Sequence, residues 1–126
     1  MMNFKVVGYY SDELFAFVLT CLFCGAIEKQ EFNAWCAQAV SLSEAPDFLF
    51  DLMNFNDEIF KIYKVIGYVP HWEHSDAYEY ALYGIAVRRG FEPYDMPVSP
   101  DEALANLDAL PEVKSIFVEV FDFISI

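Results

Sequence analysis

The only histidines, His71 and His74, lie three residues apart beside Trp72 and Glu73, with Asp76 close behind. Two imidazoles flanked by carboxylates could hold a zinc ion. A catalytic zinc site, however, draws three protein ligands from a recognised spacing, and the chain has no zincin-type helical motif. These residues are therefore read as a loop whose rings pack or hydrogen-bond ahead of a helix, and no metal is assigned. Cys21 and Cys24 have the C-x-x-C spacing of redox proteins, where the pair opens a helix whose N-terminus lowers the thiol pKa. Here the pair falls near the end of an apolar segment, where the helix dipole opposes a thiolate. Both are read as packing residues, as is Cys36. Three cysteines in apolar segments do not make a disulfide framework.

No G-x-S-x-G elbow is present, and no serine or cysteine is placed for activation by either histidine. The five glycines, Gly8, Gly25, Gly67, Gly84 and Gly90, are scattered singly and cannot form a phosphate-cradling loop. The reading is therefore of a protein that is not an enzyme and that has no catalytic residues and no cofactor.

Charge is more informative. Twenty acids against seven bases give a net charge of -13 over 126 residues, beyond the magnitude of about 2 to 8 that keeps a small domain soluble. Such a field repels nucleic acid and anionic lipid and speeds encounter with a cationic partner. The excess is larger in residues 71–126, with eleven acids and three bases, than in residues 1–70, with nine and four.

Acids and aromatics coincide in one region. Asp76, Glu79, Tyr80 and Tyr83 recur at helical spacing, Trp72 and Glu73 lie just upstream, and Glu92, Tyr94 and Asp95 follow in a proline-flanked loop. Tyrosine and tryptophan supply the area of interface hot spots, and carboxylates steer a basic partner. Trp72, Glu73, Asp76, Glu79, Tyr80, Tyr83, Glu92 and Asp95 are the candidate partner-binding residues. The alternative is that the tyrosines complete a helical core on a second side and that Phe91 and Tyr94 merely cover it.

The elements that would position these residues are punctuated by helix starts, each a small polar residue followed by acids and an apolar stripe. Ser11 opens the first, whose faces are both apolar from Leu14 to Phe23, with Gly25 available to end it. A helix without a polar face belongs at the centre of a bundle. A second, about Glu28 to Ser41, is amphipathic. A third follows Ser43 with Pro46 in its first turn, and a fourth is capped by Asn56 and ends at Gly67, with Asp57 and Lys61 spaced for an ion pair. Ser75 starts a fifth that Arg88, Arg89 and Gly90 close. Ser99, Pro100 and Glu102 form a capping-box start for a sixth.

Residues 111–126 are ambiguous, because Val113, Ile116, Phe117, Val120, Phe121 and Ile124 repeat at helical spacing although their types favour strands. The spacing predicts a mainly helical bundle of about six or seven helices in a single domain, residues 1–126. If residues 4–10 formed a strand that paired with the C-terminal segment, the fold would instead be α+β.

The longest uncharged run, Leu14 to Ile27, has fourteen residues, short of the roughly 20 that span a bilayer. The N-terminus carries one lysine, Lys5, and no leader-like pattern, so a cytoplasmic location without membrane partners is expected.

In size, acidity, absence of catalytic motifs and texture, including the stretch from Val69 to Tyr83 and the apolar ending from Phe117 to Ile126, the chain resembles small bacterial immunity proteins of the contact-dependent growth inhibition and polymorphic toxin systems. The resemblance implies a cytoplasmic antidote that binds a cognate toxin domain, often a nuclease, by protein–protein contact. It carries no site residues with it. A small regulatory or structural subunit that forms a homo-oligomer is the alternative, followed by a metal-dependent enzyme.

Overall fold

A computed structural model describes residues 8–126. Among them are seven α-helices and no strand: α1 Asp12–Phe23, α2 Lys29–Ala39, α3 Phe48–Leu52, α4 Ile62–Ile66, α5 Asp76–Arg88, α6 Pro100–Ala109 and α7 Pro111–Val120, with a 3-10 turn, Ile59–Lys61, leading into α4.

The strongest local signals perform as their chemistry demands. The hydroxyls of Ser11, Ser75 and Ser99 accept from the backbone N–H groups of Leu14, Tyr78 and Glu102, each satisfying a donor that the first helical turn leaves free. Glu31 reaches back to accept from the Glu28 N–H at 2.8 Å and closes the start of α2. Gly25, Gly67 and Gly90, all at positive φ, follow the ends of α1, α4 and α5.

Helix α1 is the centre of the molecule: every residue from Leu14 to Leu19 is buried, and so are Cys21 and Leu22. Phe15 contacts Tyr10, Phe32, Trp35 and Phe48 through ring pairs 5.3 to 6.5 Å apart, which brings α2 and α3 onto one side of α1. Phe17 meets Trp72 and Phe121 on another. Ring pairs at these separations add to the area that they bury.

Helices α5 and α6 form the most extensive helix pair. Gly84 makes the approach possible: a Cβ at that position would stand 2.4 Å from the Ala103 carbonyl oxygen and 3.0 Å from Leu107 Cβ.

Three expectations need correction. Ser43 caps no helix. Its backbone bonds Gly8 and Tyr10 and forms an isolated parallel bridge with Tyr9, so α3 starts only at Phe48, beyond Pro46. Asn56 is not a cap either: Glu58 is extended, its N–H is taken by the Asp57 carboxylate, and helical structure begins at Ile59. The expected Asp57–Lys61 pair does form, at 3.4 Å. The last segment is helical only to Val120, after which Phe121 and Ile124 still turn into the core. The strand considered for residues 4–10 lies largely outside the described residues. Its proposed C-terminal partner is helix α7, because the 3.6-residue stripe of Val113, Phe117 and Val120 buries one face and outweighs strand preference.

No helix among the described residues is long and apolar enough to cross a membrane.

Candidate interaction surface

Helix α5 buries Ala81, Leu82, Gly84, Ile85 and Ala86, so its other positions must face outward or sideways. Asp76 is exposed, and Glu79, Tyr80 and Tyr83 are half-buried. Tyr83 packs against the core and is nonetheless only half-buried.

Trp72 is placed differently from the expectation. It is 3 % exposed, and its Nε1–H donates to Thr20 Oγ1 at 2.9 Å. Thr20 Oγ1 in turn donates to the Ala16 carbonyl of α1. The indole meets Phe17 edge-on and is covered by the His74 ring, stacked at 3.9 Å. Trp72 therefore anchors the segment before α5 to the central helix and is withdrawn from the surface. The proximity of its backbone to His74 explains the register: His74 Nδ1 lies 2.9 Å from the Trp72 carbonyl oxygen, and Nε2 lies 3.5 Å from Glu79 Oε2. His74 is thus a bracket between Trp72 and the first turn of α5. With His71, Glu73 and Ser75 these residues line an open depression of about 370 Å³. Glu73 is exposed at its rim.

The loop from Phe91 to Val98 is fastened at its start. Arg89 pairs with Glu31 through both terminal guanidinium nitrogens, donates to the Ala26 carbonyl at 2.8 Å, and lies 4.7 Å over the Phe91 ring. Burial pushes the Glu31 carboxyl up, but the Arg89 guanidinium and the Glu28 N–H outweigh it and hold it below its ordinary value. Pro93 packs where Gly25 leaves room at the end of α1. Asp95 adopts φ +54, a conformation that aspartate tolerates better than most residues.

This path brings Asp95 back toward α5. Burial pushes the Tyr83 phenol up to about 12, with the neighbouring Cys24 thiol, Glu79 and Asp95 reinforcing the shift. Glu79, one turn before Tyr83 on α5, and Asp95, from the following loop, therefore act on the same phenol. Glu92 is exposed in the same loop, and Tyr94, expected as a possible cover for the core, is instead 89 % exposed.

The cysteines are buried and free, and burial pushes all three thiols up. No group of three or more histidine, cysteine or acidic side chains that could hold a metal ion occurs among the described residues.

Of the carboxylates among the described residues, Glu31, Asp57 and Asp108 form ion pairs with lysine or arginine, at Arg89, Lys61 and Arg88. Neither Glu73, Asp76, Glu79, Glu92 nor Asp95 does. Arg88 and Arg89 are the only lysines or arginines between residues 71 and 98, and both are engaged. Comparison with known proteins finds no family model, no curated protein and no solved structure that matches the chain.

Proposed function

We propose that the chain is an immunity protein that binds a basic toxin domain, of the nuclease kind, and neutralises it by occupying its cationic cleft. The observation that carries this reading is the pairing of half-buried Glu79, Tyr80 and Tyr83 on α5 with exposed Asp95 in the loop that follows it, in a region whose two arginines are each already paired with a carboxylate of another helix. Nuclease domains bind polyanions through basic clefts, so an acidic surface with accessible tyrosines is complementary to the same field. Exposed Glu73, Asp76, Glu92 and Tyr94 supply further charge and contact area in the same two segments. The resemblance to immunity proteins in size and acidity points the same way.

The test takes as partner any toxin-like domain found encoded beside this chain's own gene. Stopped-flow association should slow as salt rises, because exposed charges are screened beyond about 8 Å at physiological ionic strength. Dissociation should respond less. Reversing Asp76 and Glu79 to lysine should reduce the on-rate. A complex whose rates ignore both salt and these reversals would place the interface elsewhere, and protection of cells without binding would overturn neutralisation by contact.

A further inference from the structure

The stretch from Ile59 to Val69 is unlike the rest of this acidic chain. It contains Lys61 and Lys64 and no acid, and it exposes Phe60 at 56 %, Val65 at 40 %, Tyr68 at 41 % and Val69 at 69 %. Ile62 turns inward with Ile59 and Ile66, and Tyr63 stacks on Phe23, so the buried side of this segment is already satisfied. Its outer side carries Phe60 and Val65 with the two lysines between them at helical spacing. Tyr68 is held to the start of α1 by its hydroxyl, which donates to Asp12, so the backbone beyond Gly67 is tethered. Large apolar side chains grouped on a tethered surface mark an interaction site.

We infer that this face docks a second copy of the chain in a two-fold dimer centred on Phe60. Charge order along the segment selects that occupant. Asp57 and Glu58 precede the 3-10 turn, and Lys61 and Lys64 follow within it and in α4. A two-fold interface requires that when residue i touches residue j of the partner copy, j also touches i. Antiparallel pairing of this segment about Phe60 sets Phe60 against Phe60 and lays the Asp57 and Glu58 end of each copy along the stretch of the other that carries Lys61 and Lys64, and each attraction is made twice. Pairing of the segment in the parallel sense would oppose like charges. Two chains of net charge -13 also repel over most of their surfaces, and residues 59–69, with two lysines and no acid, are where they approach at least cost. The inference does not depend on the proposed toxin partner, because it concerns a different face and is read from the chain alone.

Sedimentation equilibrium of the purified chain over a wide concentration range should show a mass that rises from 14.5 kDa to twice that value and stops there. Phe60→Asp, at an exposed position, should give monomer at every concentration with an unchanged far-UV spectrum. Asp57→Lys alone and Lys64→Asp alone should each weaken the dimer, and the two together should restore it, since the swapped charges again meet across the two-fold. A monomer at all concentrations, growth beyond two copies, or failure of the double exchange to rescue would overturn the inference. So would a wild-type monomer that loses binding to a protein partner or to anionic vesicles when Phe60→Asp is introduced, because the face would then belong to that occupant.

Discussion

Replacing Gly84 with alanine tests the packing that holds the candidate surface. Gly84 lies inside α5 with ordinary helical φ, so an alanine there is favoured by helix propensity by about 1 kcal/mol. Against this, the new Cβ would stand 2.4 Å from the Ala103 carbonyl oxygen and 3.0 Å from Leu107 Cβ. Ordinary contact begins near 3.4 Å, so α6 must withdraw by about 1 Å at Ala103, and the obstacle is backbone that no rotamer change can move aside. A gap of that size forfeits a quarter to a half of the dispersion energy of the atoms facing it. Overpacking of this kind costs about 1 to 3 kcal/mol and sometimes more, and α5–α6 is the most extensive helix pair, so the upper end applies. After the propensity gain, a net loss of about 2 kcal/mol remains. For a chain of this length that is a fall in Tm of roughly 10 °C. Thermal and urea melts followed by circular dichroism measure it directly. Ala105→Gly, at an exposed position of α6, calibrates the propensity term alone and should cost about 1 kcal/mol. A Gly84→Ala protein as stable as the parent, or more so, would show that α5 and α6 do not approach as described.

Trp72→Phe should lose the hydrogen bond to Thr20 and about 1 kcal/mol of stability, and Trp72→Ala about 3 to 5 kcal/mol, whereas a surface hot spot would instead lose partner affinity with little change in melting. Arg89→Ala should cost about 2 kcal/mol, because it leaves the half-buried Glu31 carboxylate without its partner and frees the Ala26 carbonyl and Phe91 ring. The folded-state pKa of Glu31 is depressed, so its contribution is present above the ordinary carboxylate range and is lost as pH falls through the lower folded value. The stability difference between the parent and Glu31→Gln should therefore shrink on acidification, and urea melts in which it stayed constant or grew would contradict the pairing. Substituting Tyr94, with 89 % of its surface exposed, should leave the melting temperature unchanged within about 0.5 kcal/mol of stability while reducing affinity for a basic toxin partner.

What the sequence determines here is local. Ser11, Ser75 and Ser99 announce helix starts because a serine oxygen is satisfied by a backbone N–H three residues on, and Gly25, Gly67 and Gly90 announce ends because they supply a left-handed turn at once. The all-round apolar α1 declares itself central, since no surface position would suit it, and the stripe of α7 reveals a helix despite its strand-favouring residues.

The weaker starts misled for the same physical reason. Ser43 and Asn56 are good caps only if their neighbours are free to be helical, and the first is engaged by Gly8 and Tyr10 while the second precedes an extended Glu58. Tertiary structure alone decided that Trp72 is an anchor, because its partner Thr20 is 52 residues away, and that position 84 has no room for a Cβ, because its neighbour is the backbone of another helix. It likewise decided that Asp95 lies near enough to Tyr83 to act on its phenol while Tyr94 is left exposed. Residue type and spacing set which atoms need partners. Which distant segment supplies them depends on how the helices close around α1, and that is a property of the packed chain rather than of any stretch of it.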